Sequence, residues 1–168
     1  HWAARLAPQY PGPRLWSMAL ICVAVTAALG ISQLDPRSHW RGVLFNPTLF
    51  AAQLLWLAGT LRFCGRHSPD RWLWAGFIVF TLANTWLSLI EPNRELRIAI
   101  AISASATMKL WLVFVLFGYA RQHRNRAAYA VAASLLLEAA GLLFHAQLAL
   151  TGQVPFFGSN QQFAASIV

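Results

Sequence analysis

Two side chains stand out because their charges fall inside apolar stretches: Lys109 and Glu138. An ammonium and a carboxylate in such surroundings can form an ion pair, pass a proton between them, or hold the head group of a ligand. His145 follows Glu138 by seven residues, about two helical turns, and so belongs to the same helix face, where an imidazole could add a proton site or a metal ligand. Lys109, Glu138 and His145 therefore form the candidate polar centre. Arg94 and Arg97 lie at the start of the stretch that carries Lys109 and form the mouth of any cavity leading to it.

An isolated charge at mid-membrane costs at least about 2.5 to 3.5 kcal/mol, which is why such residues turn inward and find partners. The expectation is an ion pair or hydrogen-bonded cluster of Lys109 with Glu138, with a structural clasp the leading role and a ligand or proton site the alternative. A haem at His145 is not expected, since a single membrane histidine with no second one at matching depth does not make a bis-histidine site. No cofactor and no metal site is expected. There is no Gly-rich phosphate loop, no paired-cysteine motif, no His-Glu-x-x-His and no nucleophile elbow, so no catalytic residue is assigned and the chain is not read as an enzyme.

The elements that must position these groups follow from composition. Of 168 residues, 58% are hydrophobic and 11% charged, against about a quarter charged in soluble domains. The net charge of +8 is carried by short arginine clusters between apolar stretches, the pattern of membrane orientation and not of nucleic-acid binding. The partner is the lipid bilayer. Cys22 and Cys64 have neither metal-ligand spacing nor the number for a disulfide framework and are read as free thiols.

A bilayer span needs about 20 apolar residues in a helix. Five stretches qualify: Leu15 to Leu34, Val43 to Leu61, Trp72 to Ile90, Ile98 to Ala120 and Ala127 to Leu150. They lack the strict alternation of barrel strands, so the fold class is all-α, a polytopic transmembrane helical bundle of about five spans. Phe163 onward turns apolar again and reads as the start of a sixth. Residues 1–168 are expected to be a single transmembrane domain that continues beyond both ends. Pro47, one turn into the second stretch, predicts a kinked or late-starting helix.

Only six residues, Arg121 to Arg126, separate the fourth and fifth stretches, which must then be antiparallel neighbours. Lys109 and Glu138 each lie eleven residues from opposite ends of their stretches, roughly 16 Å deep, and so meet at one level. The polar residues Thr81, Asn84, Thr85 and Ser88 of the third stretch and Ser103, Ser105 and Thr107 of the fourth are explained by hydrogen bonds between helices. The alternative is that they line a polar cavity with Lys109.

Arg5, Arg14, Arg62, Arg66, Arg71, Arg121, Arg124 and Arg126 fall on one side, against Arg37, Arg41, Arg94 and Arg97 on the other. The positive-inside rule places the first side, with His1, in the cytoplasm. Trp16, Trp40, Trp72, Trp74, Tyr119 and Tyr129 near the ends of the stretches are expected interfacial anchors.

With the spans in place, a set of short motifs emerges: Asn46 near the start of the second stretch, then Gly59, Leu61, Arg62, Phe63, Gly65 and Arg66, then Glu91, Pro92, Asn93, Arg97 and Ile98, preceded by Pro11, Gly12, Pro13, Arg14, Leu15 and Trp16. This set resembles the N-terminal multi-pass membrane sensor region of bacterial GGDEF-type diguanylate cyclases, over nearly the whole chain. Thr60 and Cys64 depart from the bulkier or basic residues expected there, and no GGDEF catalytic domain is present.

The resemblance implies an inner-membrane sensory or anchoring module that relays a signal to a cytoplasmic cyclase. It also implies a homodimer, because two catalytic domains must meet, and it leaves open an unknown small ligand. No stripe of small residues that would place a dimer contact is read from the sequence. The competing expectation is a small integral subunit of a transporter or respiratory complex that uses the Lys109 and Glu138 pair for proton or substrate passage.

Overall fold

A computed structural model describes residues 12–31, 39–90 and 94–151. Five helices account for nearly all of them: α1 Gly12–Ile31, α2 His39–Phe63, α3 Asp70–Leu89, α4 Arg94–His123 and α5 Arg126–Leu150. Each contains a segment long and apolar enough to cross a bilayer, and no strand occurs among the described residues. The chain is thus an all-α, multi-pass membrane bundle. The expected sixth helix from Phe163 lies outside the described residues.

The helices run alternately up and down. α2 is the central one and packs against α1, α3 and α4; α3 also touches α4, whereas among the described residues α5 packs on α4 alone. The reason is visible along α2. Phe50, Leu54, Leu57 and Leu61 recur at helical spacing, are at most 6% exposed, and meet Leu73 and Phe80 of α3 and Leu112 and Val115 of α4. The Phe50 and Phe80 rings stack 4.3 Å apart.

The outer surface is the reverse of a soluble protein's. Trp72, Leu137, Phe114 and Ile21 are all more than 60% exposed, which is costly in water and ordinary against acyl chains. Trp72 and Trp74, exposed in the first turn of α3, fit the expected interfacial belt, whereas Trp16 turns inward.

α4 and α5 join through a seam that the sequence reading missed. Ala132, Ala139 and Ala146 of α5 are buried at seven-residue intervals, and since α4 is the one described helix that α5 touches, this stripe faces α4 and its buried Ala106 and Ala120. Side chains this small let two backbones approach closely, and the heptad spacing matches a shallow left-handed crossing. The stripe serves packing within one chain.

The turns are specified locally. α2 ends on Gly65 with φ +70°, where Gly65 N–H donates to Arg62 O and Arg66 N–H to Leu61 O, the paired bonds of a Schellman cap. α4 ends on Arg124 with φ 49°, and Asn125 at once caps α5 by accepting a bond from Ala128 N–H at 3.2 Å. The link between α4 and α5 therefore shrinks from the expected six residues to two, because the flanking polar residues continue the helices.

Pro47 does not delay the start of its helix. It sits two turns inside α2, which begins at His39 and not after the proline. Beside it, Thr48 Oγ1 donates to Leu44 O at 2.7 Å on its own helix, while the carbonyl that the proline deprives of its usual i→i−4 partner is that of Val43.

Candidate functional site in the membrane interior

α4 carries Lys109 fourteen residues before its end at His123, and α5 carries Glu138 twelve residues after its start at Arg126. The tight link and the alanine seam hold these positions at one level, and the two side chains form an ion pair. The cation is the more covered partner, with its side chain 18% exposed against 56% for Glu138.

The pair borders a cavity of about 350 Å³. Its walls come from four helices: Val23 of α1, Leu49, Ala52, Gln53 and Trp56 of α2, Met108 and Leu112 beside Lys109 on α4, and Leu135 beside Glu138 on α5. Apart from the ion pair, Gln53 is the polar group of this wall. Its Nε2 donates to Ser105 Oγ at 3.0 Å, while its Oε1 is buried with no hydrogen-bond partner. A cavity of this size, apolar with a few convergent polar groups, has the character of a small-molecule site.

The other expected site residues go elsewhere. His145 lies on α5 two turns beyond Glu138, is exposed, and does not line the cavity. Helix periodicity put it on a compatible face, but two turns of rise, about 11 Å, separate it from the pair. Arg97 reaches back to α3 and donates from Nη1 to Ser88 Oγ at 3.0 Å. Arg94 forms the start of α4. Among the described residues no three His, Cys, Asp or Glu side chains gather as a metal site would require, and Cys22 and Cys64 are free thiols.

Of the polar residues expected to bond between helices, Asn84 and Ser88 form one group and Ser105 another, while Thr81 Oγ1 is buried with no hydrogen-bond partner; they do not line one cavity with Lys109. Asn84 and Ser88 of α3 are fully buried toward α2 and α4. Asn46 Nδ2 donates to Asn84 Oδ1 at 2.8 Å and Ser88 Oγ donates to Asn84 O at 2.6 Å, so a string Asn46, Asn84, Ser88, Arg97 ties three helices together. Ser105 alone, through Gln53, belongs to the Lys109 side, and Thr107 donates to Ser103 O on its own helix. Gln53 was not singled out in the sequence, and Asn46 only as a motif residue. Polar residues in an otherwise apolar span were the available signal.

At the arginine-rich end the contacts are structural. Arg62 pairs with Asp70 at 2.5 Å across the α2–α3 turn. Arg66 lays its guanidinium over Gly118 of α4, and Trp16 packs on Gly59 and on Phe63, its ring 5.2 Å from the latter. Beyond the last span residue of α2, burial pushes the Cys64 thiol pKa up, with the nearby Arg66 charge opposing.

Comparison with known proteins adds no relative: no protein family matches the chain, and no curated protein or solved structure does.

Proposed function

We propose that this chain is the membrane-embedded sensory module of a bacterial inner-membrane signalling protein, with its arginine-rich end in the cytoplasm, and that it relays a signal to a cytoplasmic output domain, a diguanylate cyclase. The observation that carries the reading is the cavity at the Lys109–Glu138 pair. One of its walls is α5, a helix that among the described residues packs on α4 alone. An occupant that favours one position of α5 shifts the balance between two packings of the bundle, and whatever follows α5 in the chain inherits that shift.

The loop charges support the orientation. The motif residues support the family likeness through the work they do: Gly65 and Arg66 close the α2 cap, Gly59 admits Trp16, and Asn46 and Arg97 belong to the buried polar string. Two such chains would pair to bring two catalytic domains together. The alternative of a transporter or respiratory subunit is less favoured, because the pair and Gln53 are set in an apolar wall and the Asn84–Ser88–Arg97 string is a separate group.

The test is intracellular cyclic di-GMP in cells expressing the full-length protein, as wild type and as Lys109→Met, Glu138→Leu and the double variant. Output that changes with these substitutions at equal membrane abundance is the expected result. A full-length protein with no nucleotide-cyclase output, or an output indifferent to all three variants, sinks the reading.

A further inference from the structure

The cavity has a side that helix packing does not close. α2 and α4 are in contact and form its back, α1 packs on α2, α5 packs on α4, and among the described residues α1 and α5 do not touch. Val23 of α1 and Leu135 of α5 nevertheless both line the cavity, so these two helices border it without closing on each other. Glu138, more than half exposed, lines it from α5, and the more deeply covered Lys109 lines it from α4.

Two features of the wall call for an occupant with a polar head. Gln53 leaves one end of its amide buried and unpaired. Turning the amide over only exchanges which end Ser105 holds, so one group is left without a partner in either orientation. The Lys109 ammonium has three donors, of which the bond to Glu138 uses one. A head that can both accept from an ammonium and satisfy an amide completes both.

Charge then selects among heads. A cationic head would be repelled by Lys109 and an anionic one by Glu138, whereas a neutral hydroxyl donates and accepts beside the pair with no like charge to oppose it. The rest of the lining, including Leu49, Trp56, Leu112 and Leu135, suits a single aliphatic chain.

We infer that the cavity between α1, α2, α4 and α5 binds a single-chain aliphatic molecule with a neutral hydroxyl head, entering from the bilayer between α1 and α5 and seating its hydroxyl between Gln53 and Lys109. Binding rests on the cavity alone; that binding is the signal rests on the sensory reading above.

The experiment uses the full-length protein in phosphatidylcholine nanodiscs and a ten-carbon primary alcohol carrying a diazirine on its chain, with labelled peptides located by mass spectrometry. Labelling of the Trp56, Leu112 and Leu135 peptides is expected to saturate, and excess 1-decanol is expected to remove it while decane does not. Gln53→Leu should weaken the alcohol about tenfold, one hydrogen bond's worth, without changing a headless diazirine alkane. If that variant does not fold, the competition of decanol against decane on the wild type still decides.

Equal, non-saturable labelling by alcohol and alkane overturns the inference. So does a photoreactive residue at Leu135 that cross-links to residues 152–168 or to a second copy, which would make the gap a helix-docking surface. Saturable binding with cyclic di-GMP output unmoved by decanol would keep the site and discard the sensory reading.

Discussion

Lys109 of α4 and Glu138 of α5 form an ion pair beside a cavity that both line, the cation largely covered and the anion more than half exposed. The asymmetry has consequences for stability. Glu138→Leu removes the counter-ion of a covered ammonium, and Lys109→Met frees a carboxylate that has more room to move. Both single changes should destabilise the bundle by about 1–3 kcal/mol, Glu138→Leu more, and the double change should recover most of the loss. Unfolding of the reconstituted protein in a double-mutant cycle measures this; additive losses would mean that the two residues do not interact.

The Asn46–Asn84 bond joins α2 to α3 inside the apolar layer. Side-chain hydrogen bonds between membrane helices couple by about 0.5–1.5 kcal/mol, so a cycle with Asn46→Ala and Asn84→Ala should return a value in that range. Asn84→Ala should be the worse single change, since Asn84 is 2% exposed and its removal leaves a hole in the contact.

Three glycines with close neighbours should respond differently to alanine. A Cβ at Gly12 would lie 2.7 Å from the Gly59 carbonyl oxygen, and one at Gly59 would lie 2.7 Å from the Trp16 ring. Backbone and a packed indole cannot step aside, so Gly12→Ala and Gly59→Ala should force α1 from α2, at a cost of about 1–3 kcal/mol. A Cβ at Gly118 meets only the tip of the Arg66 side chain, which can swing away. Gly118→Ala should be nearly neutral, and thermal unfolding of the three variants compares them directly.

The two left-handed turn residues make opposite predictions. Gly65→Ala places a Cβ at φ +70° and should cost about 1 kcal/mol, whereas Arg124→Gly relieves a side chain at φ 49° and should stabilise by a few tenths to 1 kcal/mol. A loss in both variants would show that the Arg124 side chain matters more than its backbone.

Cys64 offers a titration test outside the spans. Burial raises its thiol pKa and Arg66 opposes that rise, so alkylation by iodoacetamide at neutral pH should be slower than for a free thiol and should keep accelerating above the usual thiol range. Arg66→Gln should slow it further. Because the folded state holds the proton more tightly than the unfolded chain, this group's contribution to stability is present at neutral pH and fades as pH rises past the ordinary thiol pKa.

Much of this architecture was legible in the sequence, for a physical reason. A bilayer demands long apolar helices with internally satisfied backbones, so counting apolar residues located all five spans to within a few residues. The Lys109–Glu138 pair was legible too, because two short-linked neighbouring helices fix each other's depth and mid-membrane charges must be compensated.

Which faces meet was not legible. Spans that are apolar all round carry little record of which side is buried, so the alanine seam, the central place of α2 and the cavity emerge only from packing. His145 shows the limit: periodicity assigned it a compatible face, yet it is exposed two turns from the pair. Gln53 and Asn46 became site and clasp residues only when α2 was set against α3 and α4. The sequence by itself determined where the five described helices lie, how they alternate and that the two charges share a level, since these depend on local composition and chain length. Tertiary structure alone decided what surrounds the charges, because a cavity is made by residues from four helices that no spacing along the chain relates.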